Sequence, residues 1–102
     1  MFVRVTDDGE PTLEELEDCT RFHVEASSAE PAVLGPRLGA AGTVEGAAPD
    51  HAWIEVSWVR AQAASRVPGS WIEDFQKMLG YAASKGWMDA DGGAISAHVE
   101  VH

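Results

Sequence analysis

The sequence predicts an α+β domain, an open-faced sandwich in which helices pack on one face of a sheet and leave the other face free. Three segments alternate apolar and polar residues with a period of two, as strands do when only one side is covered: residues 20–26, 51–56 and 94–101. Apolar residues recur at helical spacing in residues 70–86, which predicts the longest helix. A chain of 102 residues has room for one modest core, and therefore for one domain.

Residues 1–19 are predicted to form an extension ahead of the main domain, which comprises residues 20–102. Residues 2–5 have the pattern of a short strand. Residues 12–15, Thr-Leu-Glu-Glu, match a capping box, in which a hydroxyl group and a glutamate bind the first free amides of a helix. A short acidic helix is therefore expected, and its leucines have to be buried either beside the sheet or across the open face as a lid.

The segment after the first alternating strand predicts a helix and a short edge strand. The helix is expected to begin within residues 28–31, Ser-Ala-Glu-Pro, and to end at Gly42. Pro36 lies inside this helix, where it removes a backbone hydrogen bond and predicts a kink or a break. Residues 43–45 are then expected to form an edge strand that leads through a short loop into the next strand. The inner face of the helix would comprise Val33, Leu34, Leu38 and Ala41.

The longest helix has signals at both ends. Ser70 and Glu73 match a capping box at its start. Gly86 predicts a left-handed residue just past its end, and Trp87 is expected to fold back onto the last turn. A helical turn capped by Ser57 is expected ahead of this helix. The inner face is predicted to consist of Trp71, Phe75, Met78, Leu79 and Ala82.

From residue 20 onwards, the order strand–helix–strand–strand–helix–strand is that of the βαββαβ unit of ferredoxin-like folds. In that unit the first strand lies between the fourth and the third, and the first and fourth strands are antiparallel. This arrangement predicts that His23 lies opposite Glu100 and that Glu25 lies opposite His98.

The polar residues of the three alternating strands are the candidate functional residues. His-Val-Glu occurs twice, at residues 23–25 and 98–100, and His-Ala-Trp-Ile-Glu occupies residues 51–55. Trp53 favours a binding site, because a large aromatic side chain beside histidines and carboxylates is typical of small-ligand pockets. We expect the open face to bring together His23, Glu25, His98 and Glu100 as catalytic residues, with Arg21, His51, Trp53, Glu55 and Ser96 as ligand-binding residues.

Pairs of histidine and glutamate suit general acid–base catalysis, because imidazole titrates near neutral pH and an adjacent carboxylate stabilises its charged form. The predicted architecture resembles that of dimeric α+β barrel proteins, in which two subunits stack their open faces. This resemblance implies isomerase- or lyase-like chemistry, or cofactor-free oxygenation, on a small molecule in a homodimer, and no cofactor is expected. The simplest alternative is a solvated face whose ion pairs contribute about 0.2–1 kcal/mol each.

A metal site is a further alternative. Residues 98–102 place His98, Glu100 and His102 on one face of a strand. Two imidazoles and one carboxylate are the ligands of many non-haem iron sites and of some zinc sites. Spacing alone is weak support without partners that orient the ligands, so no metal is predicted.

The formal net charge is −10, from 17 acidic and 7 basic residues. Such a charge repels phosphate backbones and argues against nucleic-acid binding. It supports an alternative function, that of a non-enzymatic acidic protein that binds or inhibits a basic protein through Glu14, Glu15, Glu17 and Asp18. The single cysteine cannot form an internal disulfide, and there is no N-terminal apolar run, so a cytoplasmic location without membrane contact is expected.

Overall fold

The computed structural model describes residues 1–102 and contains one six-stranded mixed sheet and three α-helices. The strands are β1 (Phe2–Arg4), β2 (Thr12–Glu14), β3 (His23–Ala26), β4 (Gly42–Thr43), β5 (His51–Glu55) and β6 (Ala94–Val101). The helices are α1 (Pro31–Leu38), α2 (Val56–Ala63) and α3 (Trp71–Ser84), and a 3₁₀ turn (Gly39–Ala41) follows α1. The predicted α+β class is confirmed. None of the helices combines the length and the hydrophobicity that crossing a bilayer requires.

The order of the strands, β2-β1-β3-β6-β5-β4, differs from the predicted one. Strand β6 lies between β3 and β5, and it is parallel to β3 and antiparallel to β5. The predicted antiparallel pairing of these first and last strands of the main domain is therefore wrong, and the ferredoxin-like arrangement is not confirmed. Alternation determines which face a side chain takes, but it does not determine which strand lies alongside. With eight residues, β6 is long enough to pair along both of its edges.

One face of this sheet forms the core, as the alternation predicts. Val24, Ile54 and Val99 are buried on that face. Helix α3 packs there through Trp71 and Phe75, whose rings stack with their centroids 4.7 Å apart. The predicted inner face of α3 is confirmed, since Ala82 is also buried and Met78 and Leu79 are partly buried against the core.

The N-terminal extension is a β-hairpin. Strand β1 agrees with the predicted short strand, but the acidic helix predicted from the capping box is wrong, because Thr12–Glu14 pairs antiparallel with β1 as β2. In the strand, Leu13 is completely buried while the side chains of Thr12 and Glu14 point to the other face. Pairing with β1 supplies hydrogen-bond partners for the backbone, which a helix cap would otherwise have supplied. The hairpin extends the sheet beside β3, so it flanks the sheet and is not a lid.

The crossover elements follow the predicted order with shifted ends. Helix α1 begins at Pro31 and contains Pro36 without ending there, and the edge strand β4 is only two residues long. Gly42, the first residue of β4, lies so close to β5 that a Cβ atom there would overlap the carbonyl oxygen of Trp53. Helix α2 is a two-turn helix that begins at Val56, directly after β5, so the predicted cap at Ser57 is wrong: Ser57 lies inside the helix and Glu55 precedes it.

The end of α3 matches its prediction and the start does not. Gly86 adopts a φ of 77°, and the Trp87 amide donates to the Ala82 carbonyl at 2.9 Å. The Trp87 ring packs edge-on against Tyr81, with the centroids 5.8 Å apart, as expected for a residue that folds back onto the last turn. The capping box is wrong, because the backbone of Ser70 is helical and its side chain makes no capping hydrogen bond.

Candidate functional site

The strand register places the predicted site residues in rows across the open face. In the first row, His23, His98 and His51 lie side by side on β3, β6 and β5. In the second row, Glu25 lies beside Glu100. The predicted cross-strand pairs of His23 with Glu100 and of Glu25 with His98 are therefore wrong as register partners. Because β3 and β6 are parallel and the two His-Val-Glu segments are in register, like residues face each other.

Three side chains from the two rows nevertheless meet. The Nε2 atom of His23 lies 2.9 Å from Oε2 of Glu25 and 2.9 Å from Oε2 of Glu100. The side chain of His23 is 15% exposed, that of Glu25 25% and that of Glu100 44%. We call these three residues the His23 cluster. It joins three of the four predicted catalytic residues through one contact within β3 and one diagonal contact to β6.

An aromatic side chain fixes the imidazole from the other side. Phe2 is the register partner of His23 on β1, and the two rings stack with centroids 5.1 Å apart and planes inclined by 17°. The guanidinium carbon of Arg4 lies 5.3 Å from the centroid of the Phe2 ring. Sequence reasoning did not assign Phe2 to the site. The signal was present, because alternation with Val3 places Phe2 on the open face once β1 joins the sheet.

A cavity of about 190 Å³ opens beside the His23 cluster. Of the predicted ligand-binding residues, only Arg21 lines it. Pockets for drug-sized ligands typically measure about 300–1,000 Å³, so this cavity suits an ion or a ligand of few atoms. Residues that the sequence did not assign to this site also line it, including His102, whose Nε2 lies 3.5 Å from Oε1 of Glu25. The full lining is Met1, Glu15, Asp18, Arg21, His23, Glu25, Glu100 and His102.

The other predicted site residues lie apart from this cavity, on the β5 side of the open face. His98 is exposed and forms no ion pair with a glutamate. Its ring packs edge-on against His51, with centroids 5.5 Å apart, and Nδ1 of His51 lies 2.9 Å from the carbonyl oxygen of Pro49. Trp53 is half-buried beside Ser96, and Glu55 is exposed. The catalytic role of His98 and the binding roles of these residues stay predictions.

The local electrostatics favour charged carboxylates. The hydrogen bond with His23 holds the pKa of Glu25 below its ordinary value, with the charge of His102 acting in the same direction. At the rim of the cavity, hydrogen bonds from the side chain and the amide of Thr20 lower the pKa of Asp18. Both groups are therefore anionic at neutral pH.

The acidic patch predicted to meet a basic partner lies on β2 and in the loop that follows it, not on a helix. Glu15 and Glu17 are exposed, whereas Glu14 and Asp18 are half-buried. Glu15 has a φ of 50°, which turns the chain after β2 and brings the loop to the rim of the cavity. The patch thus adds negative charge beside the His23 cluster, and its basic partner stays a prediction.

The His23 cluster offers one nitrogen and two oxygen atoms that all lie within 4.8 Å of one another. Such a set can hold a proton or a cation. The metal-ligand set suggested by residues 98–102 is not the one that the fold assembles, because His23 from β3 takes the place of His98. Comparisons of the chain with models of known protein families, with curated proteins and with solved structures give no match.

Proposed function

We propose that the protein binds a small polar molecule at the His23 cluster and that His23 exchanges a proton with it. The observation that supports this proposal is the position of Nε2 of His23, 2.9 Å from two carboxylate oxygens at the edge of a cavity. An imidazole that is held and oriented by a carboxylate is the usual arrangement of a general acid or base.

The two glutamates have different tasks in this proposal. Glu25 is the less exposed one and is held as a carboxylate, so it stabilises the protonated imidazole and fixes its orientation together with the Phe2 stack. Glu100 is the more exposed one, and it lies where a bound molecule would contact His23. A ligand that inserts between Glu100 and Nε2 would contact both groups, so Glu100 holds the ligand while His23 delivers a proton to it or receives one from it.

The charges around the cavity favour a class of ligand. Glu15, Asp18, Glu25 and Glu100 place four carboxyl groups there, opposed by one arginine, two histidines and the amino group of Met1. A cationic or neutral polar molecule is therefore preferred over an anion. The architecture suggests an isomerase- or lyase-like reaction on a small molecule, and proton transfer by one imidazole is compatible with either.

The layout also supports a homodimer. Most side chains on one sheet face are half-buried or exposed, as on the open face of ferredoxin-like sandwiches, although the strand order differs here. Trp53 is only half-buried on that face, and stacking two such faces would bury it and shield the His23 cluster from water. Sedimentation at micromolar concentration should give a species of twice the 10.9 kDa chain mass. A single-chain species would contradict this part of the proposal.

A thermal-shift screen in the presence of a metal chelator tests the binding proposal. Small amines, neutral amides and carboxylic acids are compared at one pH. A ligand at one hundred times its Kd stabilises the folded state by about 2.7 kcal/mol. We expect amines or amides to raise the Tm of the parent protein and of Glu45→Gln, which removes an exposed carboxylate outside the cavity and outside the predicted site. Glu100→Gln should lose the shift. Equal losses in both variants, or stabilisation by acids alone, would contradict the proposal.

A further inference from the structure

The geometry points to a binding site for one divalent transition-metal ion, formed by His23, Glu25 and Glu100. The candidate ligand atoms are one imidazole nitrogen and one oxygen from each carboxylate, all within 4.8 Å of one another. An ion bound tetrahedrally at about 2.0–2.2 Å from such atoms holds them roughly 3.3–3.6 Å apart. Each oxygen lies 2.9 Å from Nε2 of His23, so both carboxylates have to move outward to admit an ion between them and the imidazole.

Without an ion, the only side chains that form ion pairs with the two carboxylates are His23 and His102. Arg4, the register partner of Glu25 on β1, acts on Glu25 from a longer distance. Glu25 and Glu100 are register partners on neighbouring strands, where like charges repel. No lysine or arginine forms an ion pair with either of them. A single imidazole nitrogen carries at most one proton, which it has to share between two carboxylates at equal distance. A divalent cation at the same point interacts with both carboxylates at once.

The ligands are also held in place before an ion binds. The register of β3 and β6 fixes the backbones of the two glutamates, and the Phe2 ring fixes the plane of the imidazole. His102 lies 3.5 Å from the second oxygen of Glu25, where it either orients that carboxylate or supplies a fourth ligand. This support is what the spacing of residues 98–102 could not provide by itself.

The donor set selects the kind of ion. An imidazole nitrogen with carboxylate oxygens suits Zn²⁺ and the other late divalent ions of the first transition row, whereas Mg²⁺ and Ca²⁺ prefer oxygen ligands alone. Three protein ligands at the edge of a cavity leave a position open for water or a small ligand, as in catalytic rather than structural zinc sites. A bound ion would occupy the lone pair of His23, so the metal-loaded and the proton-carrying states exclude each other.

Isothermal titration calorimetry on chelator-treated protein tests the site, with Zn²⁺ and Mg²⁺ as the probes. We expect one Zn²⁺ per chain and much weaker binding of Mg²⁺. Loss of an outer partner typically lowers metal affinity by about 10–100-fold, so loss of a ligand in His23→Gln or Glu100→Gln should cost at least tenfold. Glu100 is 44% exposed, which makes Glu100→Gln the variant that keeps the fold, and its thermal melt without metal verifies this.

Two matched variants on the same face serve as controls. His98→Gln and Glu55→Gln remove an imidazole and a carboxylate that lie outside the His23 cluster, and both should bind Zn²⁺ within about twofold of the parent. His98→Gln also separates this site from the ligand set His98, Glu100 and His102. The inference is overturned if the parent binds no Zn²⁺, if it binds Mg²⁺ equally well, or if the control variants lose as much affinity as Glu100→Gln. The ligand screen in chelator is independent of these outcomes, so the two proposals can fail separately.

Discussion

The two halves of the open face contain the same residue types and arrange them differently. On the β3 side, His23 is 15% exposed, stacked on Phe2 and in contact with two glutamates. On the β5 side, His51 and His98 contact each other and no carboxylate. Composition does not explain the difference, since Glu55 follows His51 on β5 as Glu25 follows His23 on β3.

The difference comes from register and from the point where each strand ends. Parallel pairing in register places Glu25 and Glu100 in one row, next to the row of His23. The antiparallel pairing of β5 places Glu55 opposite Ala94, at the far end of β6. The spacing between histidine and glutamate also differs, because Glu25 is two positions from His23 whereas Glu55 is four positions from His51. The His-Val-Glu motif of β3 thus forms a cluster because the parallel neighbour β6 carries the second copy in register with it.

The largest effect is expected from a core substitution that destabilises the whole domain, and with it both halves of the open face. Phe75 is fully buried in α3 and packs beneath the sheet that carries them. Phe75→Ala should lower the free energy of unfolding by about 3–5 kcal/mol through lost burial and a cavity. Denaturant unfolding monitored by circular dichroism measures it. A free energy of unfolding equal to that of the parent would show that the assignment of Phe75 to the core is wrong.

A change at Phe2 should affect one half only. Phe2→Leu keeps an apolar side chain but removes the stack on His23, and aromatic pairs contribute about 0.5–1.5 kcal/mol beyond burial. We expect a loss of that size and broader NMR signals for the His23 ring, with the His51 and His98 signals unchanged. Equal changes in all three histidines would mean that the two halves are not independent.

The hydrogen bond in the cluster predicts a pH dependence. The pKa of Glu25 in the folded protein lies below its ordinary value of about 4.5, so its contribution to stability is present above that pH and is lost as the pH falls through the folded pKa. In His23→Gln, measured without metal, the pKa of Glu25 should rise toward 4.5. Carbon-13 NMR of the carboxyl groups follows it, and His98→Gln is the control. An unchanged pKa in His23→Gln would contradict this origin.

The smallest effect is expected at the rim of the cavity. Thr20 bonds the carboxylate of Asp18 through its hydroxyl and its amide, and the hydroxyl makes the larger contribution to the lowered pKa. Thr20→Val retains the amide only, so the pKa of Asp18 should rise part of the way toward its ordinary value. The same NMR titration detects this change. The Glu25 titration should be unaffected, and a shift there would show that the rim and the cluster are coupled.

Much of the fold was predictable because it depends on local patterns. The alternation around Val24, Ile54 and Val99 assigned the buried face, and Gly86 with Trp87 assigned the end of α3. The neighbours of β6 were not predictable in the same way, because they depend on contacts between residues far apart in the chain. The helix predicted from residues 12–15 failed because a four-residue capping signal competes poorly with pairing to β1.

The same limit applies to the candidate site. His23, Glu25 and Glu100 were predicted as candidates and lie together, because each is on the open face whatever the strand order. His98 was grouped with them only through the assumed antiparallel pairing. The contributions of Phe2 and His102 depend on strands joining side by side, which no local pattern specifies.

The central position of β6 has a consequence for how the protein folds. Its two neighbours, β3 and β5, do not pair with each other, so the sheet consists of two separate pieces until β6 is inserted between them. Both pieces expose an unpaired edge in the meantime, which makes the incomplete chain prone to edge-to-edge association. Because β3 and β6 are distant in sequence, their pairing is expected to be slow and to come late. The side chains of the His23 cluster come from both β3 and β6, so the cluster forms only once these two strands have paired.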